Sequence, residues 1–271
     1  MNVCDKYKNE LRLNRPVVYA ELTFQPLKVS DYALYLSAKP SFELMQASLP
    51  PALARLSWMP CLDELDKKYR AEEGKESGYF LTALTVIATA LQPGYMDDPQ
   101  IVIDFMRDEE GRLKRIAVQL SHSEPPVFLS CQQLSDIRYI IAAQNGYDVP
   151  DENWNLDLMR TQKYLQAVNS TGSDLKVNIE SLVSSVAANT GCRSRDIWDW
   201  SIREFTEMQD AIDRKLGFLI YRSAELNGAK FEGGSPFPTW KYSREALPTG
   251  SRNLEDVEKT AAPMLANVNK E

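Results

Sequence analysis

The 271-residue sequence contains a single histidine, His122. That excludes a two-histidine metal site or proton relay within one chain. The four cysteines, Cys4, Cys61, Cys131 and Cys192, are spread far apart. No pair has the short spacing that lets one turn present two thiolates to a metal, so free thiols in a reducing compartment are expected. Basic residues are outnumbered 31 to 38, for a formal charge of −7. A general nucleic-acid binder carries a basic field or stripe, so no nucleic-acid partner is expected. The longest apolar run, Tyr79 to Leu91 (YFLTALTVIATAL), falls short of the roughly 20 residues a spanning helix needs. It reads as a buried core helix, with no membrane partner. The opening MNVCDKYKNE is polar and charged, which predicts no signal peptide.

Familiar catalytic patterns are also missing. There is no GxSxG elbow, so His122, in SHSEPP, reads as a solvated loop residue rather than a catalytic one. The glycine-rich EGGSP (232–236) lacks the Lys-Ser/Thr that completes a phosphate loop. Asp97, Asp98, Asp108, Glu109 and Glu110 lack the alternating ligand spacing of a calcium loop. Asp104 sits inside a strand and is expected on an exposed face. No catalytic, cofactor-binding or metal-binding residue is assigned, and no cofactor or enzymatic activity is expected.

What remains is an ordinary globular composition, 44% hydrophobic and 10% aromatic. Val17 to Phe24 (VVYAELTF) has the enrichment of a strand, and Ser30 or Asp31 can cap a short helix through Ala38. Pro40, Pro50 and Pro51 punctuate short helices. Pro60 suits the first turn of a helix over 60–70, and Arg70 to Ser77 reads as a loop before the helix of 79–91. Ile101, Ile103 and Phe105, then Leu113, Ile116, Val118 and Leu120, flank the turn DEEG (108–111) and predict two antiparallel strands. Val127 to Leu129 adds a third, and Ser130 can cap a helix through about Ala143 that covers one face of the meander.

From Asn155 the chain reads helical. One helix is marked by Leu156, Met159, Tyr164, Leu165 and Val168, and a second by Ile179, Leu182, Val183 and Val186, ending at Gly191. Ser201 and Glu204 form a capping box that opens a long helix ending at Gly228. The expected fold is α+β and mostly helical, with a small antiparallel β-meander in the middle and a helical C-terminal half. The expected divisions are 1–98, a strand with short helices; 99–150, the meander with its helix; 151–242, helical with an aromatic arm; and 243–271, a mobile tail. Trp198, Trp200, Phe237, Trp240 and Tyr242 are the candidate partner-binding residues, since clustered aromatics either anchor a partner or close a core.

Two segments carry a family pattern. QQLSDIRYIIAAQN (132–145) follows the IVIDF hairpin, and SVAANTG (185–191) leads through DIWDWSIREFTEMQDAIDRKLGFLIYRSAELNGAKF (196–231) to FPTW (237–240). Together, over roughly 100–242, they resemble structural and morphogenesis proteins of large tailed bacteriophages of Gram-positive bacteria. In those proteins a small β-hairpin unit and an R-x-I-I-x-x-Q-N helix precede an all-helical C-terminal half. ELTFQPLKVSDY (21–32) is similar to the start of many tail assembly chaperones. The resemblance implies a non-enzymatic role in tail assembly, as a chaperone or a tail or baseplate component. It implies other tail proteins as partners (tape-measure, tube or baseplate subunits) or further copies of the chain in a homo-oligomer, and a place in the host cytoplasm during assembly or in the virion tail. A phage protein that binds a host factor and a soluble carboxylate-based enzyme are the alternatives.

Overall fold

The most apolar stretch of the sequence becomes the most buried helix. In the computed structural model, which describes residues 3–74, 78–121, 125–149 and 178–230, the chain divides into two compact units, Met1–Glu207 and Met208–Glu271. The first unit begins with two single-turn helices, α1 (Val3–Lys6) and α2 (Lys8–Arg12). A hairpin of β1 (Val17–Tyr19) and β2 (Leu22–Phe24) follows, then α3 (Tyr32–Phe42), α4 (Pro51–Ala54), α5 (Trp58–Glu73) and α6 (Tyr79–Leu91). Phe80, Ala83, Leu84, Val86, Ile87, Ala88, Thr89 and Ala90 of α6 are all buried. A helix apolar over most of its circumference belongs at the centre of a core, and α3, α5 and β2 pack on it.

The meander is β3 (Val102–Arg107), β4 (Leu113–Gln119) and β5 (Val127–Ser130), antiparallel in that order. Register places Ile103, Phe105, Ile116, Val118, Val127 and Leu129 on one face. Ile116, Val118 and Leu129 from this face are buried in the main core. Gly111 takes the left-handed conformation the turn requires, with φ of 76°, and the Asp108 carboxylate accepts from the Glu110 and Arg112 N–H groups at 3.0 and 2.8 Å. α7 (Cys131–Asn145) opens on a capping box, Ser130 with Gln133. α8 (Ile179–Thr190) ends at left-handed Gly191, and α9 (Ser194–Ile197) precedes α10 (Ile202–Leu226). Ser201 and Glu204 form the expected box, the Glu204 N–H donating to Ser201 Oγ and the Ser201 N–H to the Glu204 carboxylate, both at 3.1 Å. The fold is therefore mixed helix and strand, mostly helical, with the small sheet in the middle and helices toward the C-terminus.

Three expectations are corrected. The single strand over 17–24 is a hairpin: Ala20 and Glu21 have φ of 48° and 65°, the paired positive values of a type I′ turn. The helix expected to stop at Ala38 runs on through Pro40 to Phe42. Its last turn is held from outside, because Ser41 Oγ donates to the Tyr79 carbonyl at 2.8 Å and Trp58 Nε1 donates to the Ser41 carbonyl at 2.9 Å. These contacts outweigh the single backbone bond that proline removes. Arg70 to Glu73 is the last turn of α5, not loop; Ala71 and Glu72 are exposed, so the polar run is the solvated end of a helix. The helix expected around Leu156 to Val168, the arm and the tail lie outside the described residues.

The polar residues of α7 hold the N-terminal segments. Arg138, 3% exposed, donates through Nε to the Phe42 carbonyl and through Nη2 to the Leu44 carbonyl, both at 2.8 Å, and lies 5.4 Å over the Trp58 ring. Gln144 Nε2 donates to the Phe24 carbonyl at 3.0 Å, and Asn145 Oδ1 accepts from the Leu27 N–H at 2.8 Å. Tyr147 stacks on Phe42 and Tyr35, with ring centroids at 4.5 and 4.7 Å. A buried carboxylate does the same work elsewhere: Asp66 of α5 accepts from the Tyr79 and Phe80 N–H groups at 3.2 and 3.1 Å, satisfying the first turn of α6. The R-x-I-I-x-x-Q-N pattern is thus, in this chain, a set of structural hydrogen bonds.

Candidate partner-binding surface

Of the five candidate residues, Trp198 and Trp200 are described; Phe237, Trp240 and Tyr242 lie outside the described residues, as does His122. Trp198 and Trp200 follow α9 and are both half-buried. Their backbone is fixed. The Ser30 N–H donates to the Trp198 carbonyl at 3.2 Å and the Val29 N–H to the Trp200 carbonyl at 2.9 Å. The Ile202 N–H donates to the Leu27 carbonyl at 2.9 Å, and Lys28 pairs with Asp199 at 2.8 Å. The Asn14 side-chain amide bonds Ser201 Oγ. Ile197, which precedes the first tryptophan, is fully buried. The result is a turn whose main chain is tied down while two indoles remain partly open to solvent. Fixing the backbone in advance lowers the ordering cost of a contact made by those side chains.

A second surface was not assigned from the sequence. The outer face of the meander carries Val102, Met106 and Phe128, which are 37%, 45% and 50% exposed. They surround Ala117, with Asp104, Arg115 and Gln119 alongside by register. Asp104 is exposed, as expected of it. The signal was present: in VIDFMR apolar residues occupy both alternating positions, which marks a strand with two apolar faces rather than one.

A cleft of about 440 Å³ opens beside the end of α7, lined by Tyr35, Asn145, Tyr147, Asp148, Arg203 and Glu207 among others. Its polar groups serve the fold. Arg203 Nη1 donates to the Leu11 and Ala143 carbonyls at 3.0 and 3.2 Å, and Nε to Glu207 at 2.9 Å. The Tyr147 hydroxyl donates to the Tyr35 carbonyl at 3.0 Å, and burial pushes its pKa far above the ordinary phenol value, so it stays protonated. The four cysteines are free thiols, and burial raises the pKa of Cys4, Cys61 and Cys131, which leaves little nucleophilic thiolate. Among the described residues no group of three or more His, Cys, Asp or Glu side chains is placed to hold a metal ion. Among the same residues no helix is long and apolar enough to cross a membrane.

No protein-family model, curated protein or solved structure matches the chain.

Proposed function

We propose that this protein acts through protein–protein contacts as a structural or morphogenesis component of a tailed-phage tail, either an assembly chaperone or a tail or baseplate part. The observation that carries the contact role is the tied-down turn at Trp198 and Trp200. A backbone held by N–H donors of Ser30 and Val29 and by the Leu27 carbonyl, which accepts from Ile202, presents two half-buried indoles. Tryptophan is among the residues that dominate binding energy at protein interfaces. The resemblance of 132–145 and 185–240 to tail proteins supports the assembly role and its partners, other tail proteins.

The test follows the tagged protein through a density gradient of infected-cell lysate, with companions identified by mass spectrometry. Co-migration with tails or virions at fixed stoichiometry supports a structural part, and association in light fractions with one long helical protein supports a chaperone. Paired Trp198→Ala and Trp200→Ala substitutions are expected to weaken that association by more than about 1.4 kcal/mol, a factor of ten, while circular dichroism is unchanged. Migration alone, or with partners unrelated to tails, overturns the reading.

A further inference from the structure

Beyond its first turns, helix α10 carries an apolar face that stays largely exposed. The helix has 25 residues, a length of about 38 Å at 1.5 Å per residue. Ile202 and Phe205 of its first turns are fully buried. The same stripe then continues into the second unit as Met208, Ile212, Leu216, Leu219 and Leu226. At 3.6 residues per turn these positions stay within about 80° of one another. Met208, Leu216, Leu219 and Leu226 are 36%, 44%, 52% and 77% exposed, and Ile220 beside them is 67% exposed. An apolar stripe sustained over five turns is the pattern of a helix that pairs with another helix.

Charge selects the partner. From Arg203 to Asp213 the helix carries one basic residue and four acidic ones: Glu204, Glu207, Asp210 and Asp213. From Arg214 to Leu226 it carries three basic residues, Arg214, Lys215 and Arg222, and one acidic, Glu225. The helix macrodipole favours such a bias only within the first and last turns. Asp210, Asp213, Arg214 and Lys215 lie in the middle turns, where the dipole gives no reason for the change of sign. The change falls at the midpoint of the helix. Laid parallel, two copies oppose like with like; laid antiparallel about an axis near Arg214, each acidic half covers a basic half. The same axis brings Ile212 opposite Leu216 of the second copy, Met208 opposite its Ile220, Asp213 opposite its Lys215 and Arg203 opposite its Glu225. Apolar and charged positions call for one register.

We propose that α10 is a self-association helix, pairing antiparallel with α10 of a second copy of this chain through the stripe from Met208 to Ile220. The inference does not depend on the assembly role proposed above.

Two variants of the full chain test it by sedimentation over about 1–100 μM. Asp210→Lys with Asp213→Lys makes both halves of the helix net basic, and Lys215→Glu with Arg222→Glu makes both halves net acidic. All four side chains are exposed, so the fold is not at stake. The unaltered chain is expected to show a concentration-dependent dimer. Each double variant alone is expected to dimerise at least about tenfold more weakly, and an equimolar mixture of the two to recover a heterodimer. Leu216→Asp with Leu219→Asp is expected to leave a monomer with unchanged helix content. A monomer at every concentration overturns the proposal, as it would if residues 231–271 or an unrelated protein covered the stripe. So does a dimer indifferent to the charge variants, or a mixture that fails to recover.

Discussion

The left-handed pair Ala20 and Glu21 shows what one residue costs and what it secures. A side chain at positive φ meets the following carbonyl, at roughly 1–2 kcal/mol per residue, yet the primed turn is the one whose twist matches a two-residue hairpin. Replacing the pair by Asn-Gly (Ala20→Asn with Glu21→Gly) is therefore expected to raise denaturant stability by about 1 kcal/mol; no change would mean that the strain is already relieved. Arg138 is the opposite case. Its guanidinium is buried, but its N–H groups meet the Phe42 and Leu44 carbonyls at the open end of α3. Arg138→Met keeps the volume and the stack on Trp58 while leaving those acceptors unpaired, and is expected to cost about 2–3 kcal/mol in urea unfolding. A neutral result would show that water replaces the guanidinium. Neither residue was legible beforehand: Ala-Glu lacks the Asn, Asp or Gly that announces a primed turn, and an arginine at helical spacing reads as surface.

At the scale of elements, periodicity and caps told most. The bounds of α6 match the apolar run, β3 to β5 follow the alternation around DEEG, and α8 and α10 start or stop at the capping residues seen in the sequence. Misreadings fell where a distant partner overrides a local signal, as at Pro40, whose turn is held by Tyr79 and Trp58. One cross-element contact has a pH signature. Asp63 of α5 accepts from both ends of the Arg107 guanidinium at 2.6 and 2.9 Å, with Lys67 at 2.9 Å, clamping α5 to the meander. Burial works to raise the Asp63 pKa from its ordinary 3.8, but the bonds from Arg107 and Lys67 hold it below that value. A carboxyl lowered by folding stabilises the protein above its unfolded pKa, and that stabilisation disappears as pH falls through the folded value. The stability lost in Asp63→Asn, about 1–3 kcal/mol near neutrality, is expected to shrink as pH falls through and below the ordinary carboxyl value of 3.8. A difference constant over that range would refute the clamp. The site was less readable than the elements: Trp198 and Trp200 stood out by residue type, but the bonds to residues 27–30 that hold them were invisible at such a sequence distance, and the outer sheet face was hidden by an alternation read for one face only.

Over the whole molecule, one helix near the middle of the chain holds segments that lie far before it in sequence. Phe24, Leu27, Phe42 and Leu44 are all bonded to α7, across sequence separations of 94 to 120 residues. Asn145→Ala removes the acceptor for the buried Leu27 N–H and is expected to cost about 1–3 kcal/mol. Its effect should be graded: amide hydrogen exchange is expected to accelerate over 17–29 far more than in β4, and uniform acceleration would show that the unit opens only as a whole. The same long-range bonds set a timetable during synthesis. At about 5–20 residues per second, the 118 positions between Leu27 and Asn145 take on the order of 6–24 s to emerge. Until then Leu22, Phe24 and Leu27 have no helix α7 to close upon, and the growing chain carries these apolar residues uncovered. A chaperone that recognises apolar nascent chain finds its widest window here, well before any finished surface exists.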